Sequence, residues 1–126
     1  MTLDSVVHDR PAFINRTHDK VAMFNTDLLL SLLMDCKYHV TLEQEDDDSI
    51  TGFVEELSLV ENAPDTEQCL DTIVESMKDY ALDYYSQFNY WSMAPNRVGH
   101  IPYVLKLLIS SDEMIREDII CRDGRS

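Results

Sequence analysis

The segment of residues 40–70 constrains the fold of this chain more than any other. Apolar and polar residues alternate from Val40, break at an acidic run over residues 45–49, and alternate again over residues 50–59. Alternation with a period of two indicates strands, and a polar turn between two such runs indicates an antiparallel hairpin. A helix is then predicted to begin at Asp65 or Thr66. This order predicts a small antiparallel sheet covered by one helix, a unit suited to binding and without an obvious reaction centre.

The rest of the chain adds helices to this unit. The longest is predicted from residue 65 to residue 88, because apolar side chains recur at intervals of three and four: Leu70, Ile73, Val74, Met77, Ala81, Tyr84 and Phe88. The other predicted elements are a hairpin over residues 11–25, a leucine-rich helix capped by Thr26, a connection over residues 91–102, a helix starting at Pro102, and a last helix capped by residues 110–113 and ending near Cys121. The fold class is therefore α+β: small antiparallel sheets with a long amphipathic helix and a C-terminal pair of helices. We expect two parts, residues 1–38 for dimerisation and residues 39–126 for partner binding.

The net charge of −14 lies almost entirely in the second part of the sequence. Residues 1–40 carry four basic and five acidic side chains, whereas residues 41–126 carry six basic and nineteen acidic ones, a net charge of −13. Such a segment repels phosphate backbones and anionic membrane surfaces and attracts cationic partners. We therefore expect a basic protein as the partner of the acidic part.

The sequence carries no sign of secretion or membrane insertion. The first ten residues lack an apolar run, and the longest apolar runs, residues 28–34 and 104–109, are too short to span a bilayer. The three cysteines, Cys36, Cys69 and Cys121, form no CxxC pair. We expect a cytoplasmic protein with no membrane partner.

Motifs for catalysis and metal binding fail on spacing. A calcium loop starting at Asp46 would need glycine at its sixth position and glutamate at its twelfth, where this chain has Thr51 and Leu57. The four histidines are not paired at ligand spacing, and neither a GxSxG motif nor a glycine-rich phosphate loop is present. Paired carboxylates on the long helix leave a hydrolytic enzyme as a third possibility, but a solvated helix face has the same pattern. We expect no catalytic residue, no metal and no cofactor, and thus no enzyme.

The aromatic residues of the segment 80–91 are denser than a core of this size needs. They either fill the core or form an interface, where Tyr and Trp are enriched as anchors. The candidate partner-binding residues, which include the polar side chains that follow the aromatics, are Tyr84, Tyr85, Phe88, Trp91, Asn96, Arg97 and His100. The alternative is a small-molecule-binding module that uses the same aromatics, with Arg97 and His100 as polar anchors.

Three stretches of the chain resemble bacterial antitoxins. PAFINRTHDKVAMFNTDLLLSLL resembles the middle of prevent-host-death (Phd/YefM-type) antitoxins, in which two strands precede a capped, leucine-rich helix. The acidic hairpin and the helix after it resemble the C-terminal regions of RelB-like antitoxins and, more distantly, the strand-strand-helix unit of HicB antitoxins. YYSQFNYWSMAPNRVGHIPYVLKLLI is similar to an aromatic block of small antitoxins of this sort.

This resemblance implies an antitoxin of a type II toxin–antitoxin pair. Such a protein would neutralise a small basic toxin, RelE-like or a similar ribonuclease, and would repress its own operon as a homodimer. The dimerisation candidates are Phe13, Leu28, Leu29, Leu32 and Leu33, and the candidate contacts to operator DNA are Arg10, Arg16 and Lys20. In Phd-type proteins a strand and a helix precede the first of these strands, whereas only residues 2–8 stand there in this chain. We therefore expect either a truncated start or a loss of operator binding.

Overall fold

The structure is a computed structural model, and it describes residues 12–15 and 20–123. The chain divides into two compact units, Met1–Met34 and Asp35–Ser126. In the first unit, β1 (Ala12–Asn15) pairs with β2 (Lys20–Met23) in antiparallel register, and α1 (Thr26–Leu32) follows.

The leucine-rich helix α1 starts one residue earlier and ends sooner than the sequence indicates. Its N-cap is Asn25 and not Thr26, because the Asn25 side chain accepts a hydrogen bond of 2.7 Å from the Leu28 backbone N–H. The helix ends at Leu32, and all its residues are half-buried or exposed.

The second unit is built on a four-stranded sheet with the order β5–β4–β3–β6. Its strands are β3 (Tyr38–Gln44), β4 (Ile50–Val54), β5 (Leu59–Ala63) and β6 (Ile119–Asp123). The pair β3–β4 is antiparallel, as the acidic hairpin predicts. The pair β4–β5 is also antiparallel, whereas β6 lies parallel to β3. The α+β class is confirmed, and the sheet is mixed.

Two sequence-based expectations about this sheet are wrong. Residues 50–59 do not form one strand, because Val54 and Leu57 are both fully buried and the chain turns between them. Ser58 closes that turn in the left-handed region with φ 55°. The last helix also stops at Glu117 and does not continue to Cys121, which lies in β6 opposite Val40.

Buried charges place β6 beside β3. Lys106 is buried, and its Nζ lies 2.9 Å from Asp118 Oδ2 and donates to the Cys36 carbonyl at 2.8 Å. Lys37 contacts the other Asp118 oxygen at 2.8 Å, and the Tyr38 N–H donates to the Asp118 carbonyl at 3.0 Å. These contacts join two segments about 80 residues apart, so local sequence patterns cannot reveal the strand.

The helices of this unit are α2 (Thr66–Ser86), α3 (Phe88–Met93), a 3-10 turn (Val98–His100), α4 (Ile101–Leu108) and α5 (Asp112–Glu117). Asp65 caps α2 by accepting from the Gln68 N–H at 2.8 Å, as predicted. Ser111 caps α5 in the same way through Met114.

The helix α2 packs closely on the sheet because β4 has a glycine at the contact. A Cβ atom on Gly52 would lie 2.5 Å from Ile73 Cδ1 and 3.0 Å from Cys69 Sγ, both on α2. The apolar stripe predicted on this helix supplies much of the core. Its opposite face, which carries the carboxylates, is left to solvent.

Candidate functional site

The aromatic residues of α2, α3 and the following loop separate into a buried set and an exposed set. Tyr84 and His100 are buried. Tyr80, Trp91 and Arg97 are half-buried and pack around them. Together these five residues form what we call the buried cluster.

Hydrogen bonds link Arg97, Tyr80 and His100 of the buried cluster. Arg97 Nη1 donates to Tyr80 Oη at 2.9 Å, and Tyr80 Oη lies 2.6 Å from His100 Nδ1. Because arginine only donates, the tyrosine hydroxyl can accept from Arg97 and donate to His100 Nδ1 in the tautomer in which that nitrogen carries no proton. Burial first, and the Arg97 charge second, lower the pKa of His100 from its ordinary value of 6.5, which agrees with a neutral ring.

The Arg97 side chain is also held by ring contacts. Its guanidinium carbon lies 5.1 Å from the centroid of the Trp91 ring and 5.5 Å from that of Tyr80, within range of cation–π attraction. The Tyr84 hydroxyl donates to the Arg97 carbonyl at 2.9 Å. The buried cluster therefore ties the loop after α3 to α2. The two polar anchors of the small-molecule alternative, Arg97 and His100, are both engaged in it.

A second set of apolar side chains from the same segment lies in solvent. We call it the aromatic ridge, and its exposed fractions are Leu82 60%, Tyr85 67%, Phe88 42%, Tyr90 68% and Met93 81%. A hollow of about 430 Å³ has Tyr85, Phe88 and Tyr90 in its lining. Leu82 precedes Tyr85 by three helical positions, and Met93 follows Tyr90 by three, so each extends the ridge at one end.

The structure thus divides the predicted partner-binding residues. Tyr85 and Phe88 lie in the ridge, whereas Tyr84, Trp91, Arg97 and His100 belong to the buried cluster, and Asn96 lies in the loop between α3 and the 3-10 turn. Three ridge residues, Leu82, Tyr90 and Met93, are not among the predicted partner-binding residues. For Leu82 a signal is available, because a large apolar residue on the polar side of a predicted amphipathic helix has no place in the core. Met93 lies in the predicted connection of residues 91–102, where no helical face is predicted.

One part of the acidic surface lies between α2 and α5. A groove of about 820 Å³ there is lined by Val74, by two cations and by five carboxylates: Asp71, Glu75, Asp112, Glu113 and Glu117. Both cations have carboxylate partners. Lys78 contacts Asp112 at 2.6 Å, and Arg116 contacts Asp71 at 2.7 Å. The sequence shows the acidic face of α2, but only the tertiary structure brings α5 against it.

A third polar group lies where β3 meets the turn after β4. His39 Nδ1 contacts a Glu56 oxygen, and the His39 backbone N–H donates to the other Glu56 oxygen at 2.7 Å. The nearby Glu55 pairs with Arg122 at 3.3 Å. These atoms lie close enough together to suggest metal ligands. Because both carboxylates have protein partners, we interpret the group as a clamp between the strand and the turn.

Comparison with known families identifies the kind of protein. A sequence profile of the PHD_like family, described as the antitoxin of RelE/RelB toxin–antitoxin systems, matches residues 1–120. The chain belongs to this antitoxin family. Its members are regulatory proteins and not enzymes, in line with the sequence-based prediction.

A solved structure supports the assignment of the chain to this antitoxin family. It is a crystal structure from Syntrophomonas wolfei subsp. wolfei, described as the antitoxin part of a candidate toxin/antitoxin system. The two chains are 31% identical and superpose with a TM-score of 0.85, over 95% of this chain and 87% of the other. A comparison with curated proteins found no match. Across the described residues of the antitoxin, no helix is both long enough and apolar enough to cross a membrane.

The antitoxin's predicted dimer and DNA contacts lie in its first unit. Leu28, Leu29 and Leu33 are half-buried there, and Leu32 is exposed. The side chains of Phe13 and Lys20 are not described, and Arg10 and Arg16 lie outside the described residues.

Proposed function

We propose that this antitoxin neutralises a small basic toxin, RelE-like or a similar ribonuclease, by covering its cationic RNA-binding surface with the acidic unit of residues 35–126. The observation that carries the proposal is the distribution of charge. From residue 35 onward the chain has twenty acidic and seven basic residues, a net charge of −13.

The basic residues that the structure describes in this unit are already engaged within the protein. Five of them contact carboxylates: Lys37, Lys78, Lys106, Arg116 and Arg122. Arg97 is held against the rings of Tyr80 and Trp91. The remaining carboxylates therefore give the unit an excess of negative charge. Complementary potentials of this kind accelerate the encounter with a cationic partner and reject anionic ones.

We also propose that the antitoxin forms a homodimer and that the contact between the two copies lies in the first unit. The helix α1 carries leucines on most of its circumference, yet it lacks a fully buried residue, so a second copy can cover it. A homodimer would also place two sets of Arg10, Arg16 and Lys20 for phosphate contacts at an operator. A monomer in light scattering at micromolar concentration would contradict the dimer, and unshifted operator DNA in a gel would contradict operon autorepression.

Co-expression tests the proposed neutralisation. The antitoxin gene is expressed with a neighbouring reading frame that encodes a small basic protein, and the control expresses that frame alone. We expect growth arrest in the control, restored growth on co-expression, and a complex that purifies intact. Growth arrest that persists on co-expression would contradict the proposal, as would the purification of two separate proteins.

A further inference from the structure

We propose that the aromatic ridge is the surface on which the toxin docks, through a segment that presents apolar side chains flanked by Lys or Arg. This inference rests on the proposed function, because it names the surface by which the antitoxin would bind the toxin.

The first argument is the exposure of the ridge. Single apolar side chains on a protein surface are common, but here five large ones follow one another within residues 82–93. Two tyrosines, a phenylalanine and a methionine are among them, and these residue types are enriched in the centres of protein interfaces. Water contact with such a patch is unfavourable, and a partner that covers it removes that cost.

The second argument is the shape of the ridge. The hollow is open to solvent, and its lining includes the three aromatic side chains of Tyr85, Phe88 and Tyr90. An aliphatic or aromatic side chain of a partner fits such a hollow as an anchor. Leu82 and Met93 extend the apolar contact beyond the hollow in both directions.

The third argument is the support beneath the ridge. The Phe88 ring packs edge-on against the buried Tyr84 ring at 5.9 Å, and the Tyr90 ring packs against Trp91 at 5.1 Å. Trp91 in turn stacks on Arg97, whose position is set by Tyr80. Anchors held in this way lose little conformational entropy when a partner binds.

The fourth argument is the charge around the ridge, which selects the occupant. Asp79 lies three positions before Leu82 on α2 and so shares its side of the helix, while residues 82–93 contain one carboxylate, Asp83, and no Lys or Arg. In a symmetric contact between two copies through the ridge, both sides carry the same acidic surroundings and no cation to offset them. A basic segment of a different protein meets no such repulsion, so the ridge fits the toxin better than a second copy.

A pair of matched variants tests the ridge. Tyr85→Ala/Met93→Ser removes two exposed ridge side chains, and Val60→Ala removes an exposed apolar side chain from the sheet of the same unit. Each full-length variant is titrated with the purified product of the adjoining basic reading frame, after a melting curve has shown that it is folded. We expect the ridge variant to bind at least about tenfold more weakly than the unmodified antitoxin, and Val60→Ala within about twofold of it.

The outcomes separate the two proposals. Equal affinities of the ridge variant and the unmodified antitoxin would overturn the ridge and leave the proposed function standing. Failure of the unmodified antitoxin to bind would overturn both. A ridge variant that binds normally but changes the oligomeric state of the free antitoxin would assign the ridge to a second copy and overturn the proposal. If the double variant does not fold, Tyr85→Ala alone replaces it, because that side chain is largely exposed.

Discussion

At the scale of single residues, the buried cluster shows what sequence can and cannot predict. Arg97 and His100 stand out in the sequence because polar side chains directly follow an aromatic run. Their partners are not predictable, since Tyr80 lies 17 and 20 positions away from them. The helical period does separate Tyr84 from Tyr85, because only Tyr84 falls on the apolar stripe predicted for the long helix. Neighbours on a helix point about 100° apart, and one is fully buried while the other is largely exposed.

His100 gives a prediction about pH. Its pKa is lowered in the folded protein, so below pH 6.5 the unfolded chain takes up a proton that the folded chain resists. The neutral ring's contribution to stability is therefore present above this range and is lost as the pH falls through it. We expect the unfolding free energy to fall more between pH 7 and pH 5 in the unmodified antitoxin than in His100→Gln, because only the unmodified unfolded chain gains this proton.

Urea unfolding at a series of pH values measures this difference. The amide oxygen of the introduced glutamine can still accept the Tyr80 hydroxyl, so the comparison isolates the titration of the ring. Parallel stability curves for the two proteins would show that His100 does not titrate differently on folding.

At the scale of elements, the sequence predicts those whose signals are local. The helix α2 is predicted almost to the residue, because its apolar period and the Asp65 cap lie within its own segment. The turn at residues 55–58 is missed, since the apolar alternation continues through it and a serine, not a glycine, adopts the left-handed conformation. The strand β6 is missed because its pairing with β3 depends on contacts about 80 residues apart.

The contact between α2 and β4 gives a prediction about stability. Gly52→Ala would place a methyl group against Ile73 and Cys69, so we expect a loss of about 1–3 kcal/mol in unfolding free energy. Gly99→Ala is the matched control, because its new Cβ meets no atom within 4 Å. Thermal or urea unfolding of both variants measures the effect. A Gly52→Ala protein as stable as the Gly99→Ala protein would contradict the close packing of helix on sheet.

At the scale of the whole molecule, composition indicates the sign of the partner's charge. It does not indicate which surface of the antitoxin contacts that partner. The net charge of −13 in the second unit is visible in the sequence. The groove between α2 and α5 is not, because it joins carboxylates about 40 positions apart. Family membership then establishes an antitoxin, and the engagement of the unit's described cations leaves an excess of carboxylates for the proposed contact with a toxin.

The dependence of toxin binding on salt tests this account most directly. The dissociation constant of the complex with the adjoining gene's product is measured by titration from about 50 to about 500 mM sodium chloride. We expect it to rise by about tenfold or more, because opposite charges on the two proteins are screened. Asp79→Asn/Asp83→Asn should bind more weakly at low salt and show a smaller rise. A dissociation constant that salt leaves unchanged would contradict the claim that the acidic unit attracts the toxin.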